Sequence, residues 1–131
     1  MPEQTPEQND YAAKLYARVG EAAVLRRMEV EVGGWQPLAN ECHSNATQFH
    51  LRDASYTPVR GWLYFDFGGC LAHVQFLAHS VVRAPNGELW DITPAQPAQA
   101  YPFILAMESE EDYAALIGAG LVRLWHSKRP A

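Results

Sequence analysis

Apolar positions near the start of the chain recur at helical intervals and those in its middle at strand intervals. Tyr11, Leu15, Val19, Ala22 and Ala23 are spaced by three, four or one, which puts one stripe of a helix against a core. Thr5 stands where an N-cap belongs, Pro6 suits the first helical position and Gln8 completes a capping box. The pattern carries this helix toward Arg27, with a break at Gly20. Met28-Glu29-Val30-Glu31-Val32 alternates and fits either a short strand or the helix end; Gly33-Gly34 stops it either way. Beyond Pro37, Ala46, Phe49 and Asp53 follow Cys42 at spacings of three and four, so a second helix is expected to start near Cys42.

The following third reads as strands. Val59 to Phe67 is rich in aromatic and β-branched residues, Gly68-Gly69 turns the chain, and the apolar run Leu71 to Ala84 suits a central strand. Pro85-Asn86-Gly87 between two apolar runs is a hairpin signal, and Glu88 to Ile92 is its returning strand. These three runs predict an antiparallel sheet. Thr93 to Pro102 reads as an ordered loop leading to apolar Phe103-Ile104-Leu105. Ser109-Glu110-Glu111-Asp112 caps a further helix through Leu116 and Ile117, and Leu121 to Trp125 fits a last strand. The expected class is α+β, with N-terminal helices on an antiparallel sheet, in one domain over residues 1–131.

Composition narrows the function. With 48% hydrophobic and 19% charged residues the 131-residue chain is ordinary globular material. Its net charge of -5, with Lys and Arg adjacent only at Arg26-Arg27 and Lys128-Arg129, lacks the basic footprint of a nucleic-acid binder. The polar, acidic opening has no secretory-signal pattern and no apolar run approaches membrane-spanning length, so a cytoplasmic protein without membrane or nucleic-acid partners is expected. In that setting Cys42 and Cys70 stay reduced.

The candidate chemistry centres on Glu41-Cys42-His43-Ser44-Asn45. A thiol at a helix N-terminus meets unpaired N–H groups and a positive dipole end, which favour the thiolate. Acyl chemistry then needs an imidazole for the proton and a carboxylate to orient that imidazole. Folding at Asn86-Gly87 brings His79 and Asp91 onto antiparallel strands, with Asp91 opposite roughly Arg83 or Val82. His79 lies about one pleat repeat further along, a diagonal reach that twist or a bulge closes.

The order Cys42 on a helix N-terminus, His79 on a strand and Asp91 on the next resembles the papain-like superfamily, especially its transglutaminase-like branch. Asp91-Ile92-Thr93-Pro94 is similar to that branch's Asp-Pro-Thr element. Gln36, six positions before Cys42, matches the place of the oxyanion glutamine of papain-like enzymes, although Asn40 or the Cys42 backbone N–H would serve equally. The resemblance implies a compact papain-like core and a cysteine hydrolase or acyltransferase acting on an amide of a protein or peptide, without a cofactor. Two departures stand out: His43-Ser44 follows the cysteine, and the histidine comes early.

Other readings stand beside this one. His73 competes with His79 for the base, since an even separation puts both on one side of a regular strand; the family pattern favours His79. His43 and His50 read as solvent-facing or packing residues and His126 as part of a tail. Cys42, His43, His73 and His79 include zinc-ligand types, yet no Cys-x-x-Cys or His-Glu-x-x-His spacing is present, and no metal is expected. A binding or accessory protein without catalysis is the alternative from another class.

Overall fold

Thr5 caps the first helix as the capping box requires: its hydroxyl accepts from the Gln8 N–H while the Gln8 side chain accepts from the Thr5 N–H. A computed structural model describes residues 3–69, 71–95 and 100–128. Among these residues the protein is mixed α and β, with three helices and an open six-stranded sheet. In chain order the elements are α1 (Pro6–Tyr16), β1 (Arg26–Arg27), α2 (Cys42–Arg52), β2 (Thr57–Phe65), β3 (His73–Arg83), β4 (Leu89–Asp91), β5 (Phe103–Leu105), α3 (Glu110–Gly118) and β6 (Arg123–Ser127).

The first helix is shorter than its apolar spacing suggests. It stops at Tyr16, and after a single 3-10 turn the chain becomes extended because Ala23 pairs with Phe103 and β1 pairs with β4. The alternating stretch after it is neither a ladder strand nor a helix end. Met28, Val30 and Val32 pack extended against the cluster of Ala46, Phe49, Val82 and Ile92.

The sheet runs in the order β1-β4-β3-β2-β5, with β6 added to β3. It is antiparallel as expected except at one edge, where β1 runs parallel to β4, with Arg26 opposite Trp90 and Arg27 opposite Asp91. The β3–β4 hairpin closes at the predicted place. Gly87 takes a positive φ of 88° and donates to the Ala84 carbonyl, while the Ala84 N–H donates to Glu88. The long β3 is the centre. On one edge it pairs with β2 from Gln75 to Arg83; on the other β6 pairs with residues 73–77 and β4 with 82 and 83. Residues 79–81 therefore have no ladder partner on that second edge among the described residues.

Core packing follows the pleat. Val74, Phe76 and Ala78 join Ala12 and Leu15 of α1, Tyr113 of α3, Trp62, Ile104 and Leu124 in one buried cluster. Further along the same strand Val82 meets Ala46 and Phe49, so α2 lies on the same face as the other helices. Leu63, Val81, Leu89 and Phe103 alternate onto the opposite face, where Leu25 packs on them. Cys70 and the middle of the expected 93–102 loop lie outside the described residues. No helix among the described residues is long and apolar enough to cross a membrane.

Candidate active site

Cys42 is the first residue of α2, preceded by Glu41, whose side chain makes no capping bond. The helix start is instead held by Asn45, which is buried. Its amide donates to the Leu38 carbonyl at 2.8 Å and to Thr93 Oγ1 at 2.9 Å, and its carbonyl accepts from the Leu38 N–H at 3.0 Å. One side chain thus ties the loop before Cys42 to the residue two beyond Asp91.

The hairpin register delivers the second half of the site. Trp90 lies opposite Val82, so Asp91 comes next in line, diagonal to His79, and the reach is closed: His79 Nε2 and Asp91 Oδ2 are 2.9 Å apart. Asp91 is buried with three partners. Arg27 Nη1 donates to Oδ2 at 3.0 Å, the Thr93 N–H donates to Oδ1 at 3.2 Å, and Arg27 Nη2 also donates to the Thr93 carbonyl. With Nε2 held by Asp91, Nδ1 of His79 is the nitrogen left for sulfur, and the His79 ring lies close enough to Cys42 for each to stabilise the other's charge. His79 occupies the stretch of β3 edge that no ladder strand covers, beside the start of α2.

The electrostatics follow from these contacts. Burial opposes charge on Cys42, but the neighbouring His43 and His79 rings outweigh it and lower the thiol to about 6. Burial likewise opposes the imidazolium of His79. Hydrogen bonds to Asp91 and to the sulfur, with the charge on each, outweigh it and raise His79 to about 9. Between those values the thiolate–imidazolium pair is the favoured state. Tyr113 is pushed up by burial and by the nearby Cys42 charge; its hydroxyl donates to the Gly61 carbonyl at 2.7 Å.

No protein-family model, curated protein or solved structure matches this chain. The site is therefore read from its own geometry.

A cleft of about 500 Å³ opens beside this group, lined by His43, Thr47, Gln48 and Arg60 with Tyr113 and Ile117. Cys42, His79 and Asp91 are not in its lining; cleft and sulfur meet at His43. Arg60 braces the wall, donating from Nη1 to the His43 carbonyl and Ser80 Oγ, both at 3.0 Å, from Nη2 to Thr47 Oγ1 at 2.7 Å and from Nε to Glu110 at 2.9 Å.

The structure thus brings Cys42, His79 and Asp91 together and leaves Gln36 apart. Gln36 is exposed in the loop before α2, with no hydrogen bond to the other three among the described residues. His73 stands at the far end of β3, its ring against Trp125 at 4.8 Å and Phe67 at 6.2 Å. His126 is a β6 residue packed edge-on to Tyr16 rather than a tail residue. No three His, Cys, Asp or Glu side chains among the described residues converge as a metal-holding group. His43 was read only as a solvent-facing or packing residue, and Arg27, Asn45 and Arg60 were given no part in the site. Asn45 carried a signal, since it is three positions after Cys42 on the inward helix face; Arg27 carried none.

Proposed function

We propose that this chain is a cysteine-dependent hydrolase or acyltransferase that acts on an amide of a protein or peptide, on a compact core of the papain-like, transglutaminase-like kind. The observation that carries the reading is the convergence of three groups: the Cys42 thiol lies beside His79, and His79 is hydrogen-bonded to Asp91 at 2.9 Å. A nucleophile, a base within hydrogen-bond reach and a third group orienting the base are the parts covalent acyl transfer needs.

The Cys42 thiolate adds to the carbonyl carbon and the π pair moves to oxygen. The C–N bond then breaks as His79 gives its proton to the departing amine, leaving a thioester. Water, or an amine in its place, attacks the thioester with His79 accepting the proton, and the thiolate is restored. Asp91 keeps the ring turned so that Nδ1 faces sulfur throughout. Peptidase, deamidase and transglutaminase outcomes use the same parts. The cleft at His43 offers the substrate a place beside the sulfur.

Alkylation by iodoacetamide at neutral pH tests the reading. Cys42 is expected to react about ten times faster than an ordinary thiol at pH 6.5, and His79→Ala to slow it at least as much. Slow labelling of Cys42, unchanged in His79→Ala, would remove the nucleophile from the proposal.

A further inference from the structure

His43 is the imidazole that faces the cleft, and its hydrogen bonds decide which of its nitrogens carries the proton. Its Nδ1 lies 2.6 Å from Ser80 Oγ, and Ser80 is buried. The same oxygen receives a hydrogen bond from Arg60 Nη1 at 3.0 Å. A guanidinium only donates, so Ser80 accepts there and its own proton is left to give. Among the described residues the acceptor within its reach is His43 Nδ1. The opposite arrangement, with Nδ1–H donating to serine, would strand a buried hydroxyl proton without an acceptor. His43 is thereby held as the Nε2–H form, and that N–H, not engaged by Ser80, is the donor left on the residue that follows Cys42.

Position supports use. The ring packs edge-on against Tyr113 with centroids 5.8 Å apart, its backbone carbonyl is pinned by Arg60, and it lines the cleft as the residue next in sequence to Cys42. Gln36, which the family resemblance would put in this role, is exposed and unattached to the group. We propose that His43 is a catalytic residue: its Nε2–H, with the Cys42 backbone N–H, holds the thiolate and then the oxygen of the tetrahedral intermediate. The inference rests on the acyl-transfer reading above. In that step the C–S bond forms, the carbonyl π pair becomes the oxyanion that accepts these two N–H groups, and collapse returns the pair as the leaving group departs with a proton from His79. Arg60 and Ser80 are positioning residues that fix the tautomer.

The test uses 4-nitrophenyl acetate as a generic acyl donor and follows the pre-steady-state release of nitrophenolate. The native protein is expected to give a burst stoichiometric with Cys42, absent in Cys42→Ala. No burst from the native protein would defeat the acyl-transfer reading itself, before His43 is in question. Given a burst, His43→Ala is expected to lower its rate about 100-fold with little change in ester KM, and His43→Gln, which keeps an N–H donor, to recover at least about tenfold. A His43→Ala rate within about threefold of native, or a Gln variant no faster than the Ala variant, would overturn the proposal. Nitrogen-15 spectra of the unmodified protein give an answer independent of variant folding: a bare Nδ1 and a protonated Nε2 on His43 are expected, and the reverse tautomer would overturn it too.

Discussion

Asp91 Oδ2 accepts from His79 Nε2 at 2.9 Å and from Arg27 Nη1 at 3.0 Å, so one buried oxygen serves the imidazole and a guanidinium at once. Arg27 shares the carboxylate without displacing the ring because β1 runs parallel to β4 and sets Arg27 level with Asp91. The two donors approach the same oxygen from different strands.

Asp91→Asn keeps the volume but replaces an acceptor oxygen with a donor NH2 or turns it away from one of the two partners. Acylation of Cys42 is expected to fall about 1000-fold through loss of the correct ring form. Because Arg27 is left without its counter-charge in a mostly buried position, chemical denaturation should also show a loss of roughly 2–3 kcal/mol. An Asn variant with unchanged acylation would mean the carboxylate does not orient His79.

The rate of Cys42 alkylation against pH should rise through about 6, where the thiol ionises, and acyl transfer should decline again above about 9, where His79 loses the proton it must deliver. The stability contributions have opposite signs. His79 is raised, so its share is complete below its ordinary value of 6.5 and is lost as pH climbs through about 9. Cys42 is lowered, so its share is complete above its ordinary value of 9.0 and is lost as pH falls through about 6. In His79→Ala the acid limb of the alkylation profile is expected to move upward, with burial then less opposed; a limb that stays near 6 would assign the acidity elsewhere.

Asn45→Ala removes the amide that satisfies both backbone groups of Leu38 and bonds Thr93. About 2 kcal/mol of stability should go with it, read from the urea midpoint. Alkylation should lose selectivity for Cys42 as the approach to α2 loosens, whereas full retention of both properties would show the amide to be idle.

Gly61 sits where β2 meets β5, and a Cβ there would come 2.2 Å from the Ile104 carbonyl oxygen and 2.6 Å from Phe103 Cζ. Gly61→Ala must push β5 away from the sheet, at a cost of about 3 kcal/mol. The Tyr113 hydroxyl bonds the Gly61 carbonyl, so the strain also reaches the cleft wall. A thermal midpoint equal to native would contradict this packing.

Local signals were legible in the chain. The Thr5 and Ser109 caps, the start of α2 at Cys42 and the Pro85-Asn86-Gly87 turn depend on neighbours a few residues apart and appear where they were read. The pairing of the strands that carry His79 and Asp91 was legible from the turn, but the register was not: Trp90, not Asp91, stands opposite Val82 and Leu89 opposite Arg83, which carries Asp91 further along the strand toward His79. What failed depended on distant pairing. The apolar residues past Tyr16 kept helical spacing, yet Ala23 serves a bridge to Phe103 and Arg27 an ion pair with Asp91, and neither partner is visible locally. His43 was passed over because a polar residue beside a nucleophile carries no periodicity. Its meaning lies in Ser80 and Arg60 on other strands.

The sulfur's acidity depends on a ring encoded 37 residues later, itself steadied by a carboxylate 12 residues further on. A chain still being made, or cut short before that hairpin, carries at Cys42 only an ordinary thiol. On the proposed reading, reactivity would arrive with the β3–β4 hairpin, so a copy lacking it would have little means of attacking its neighbours.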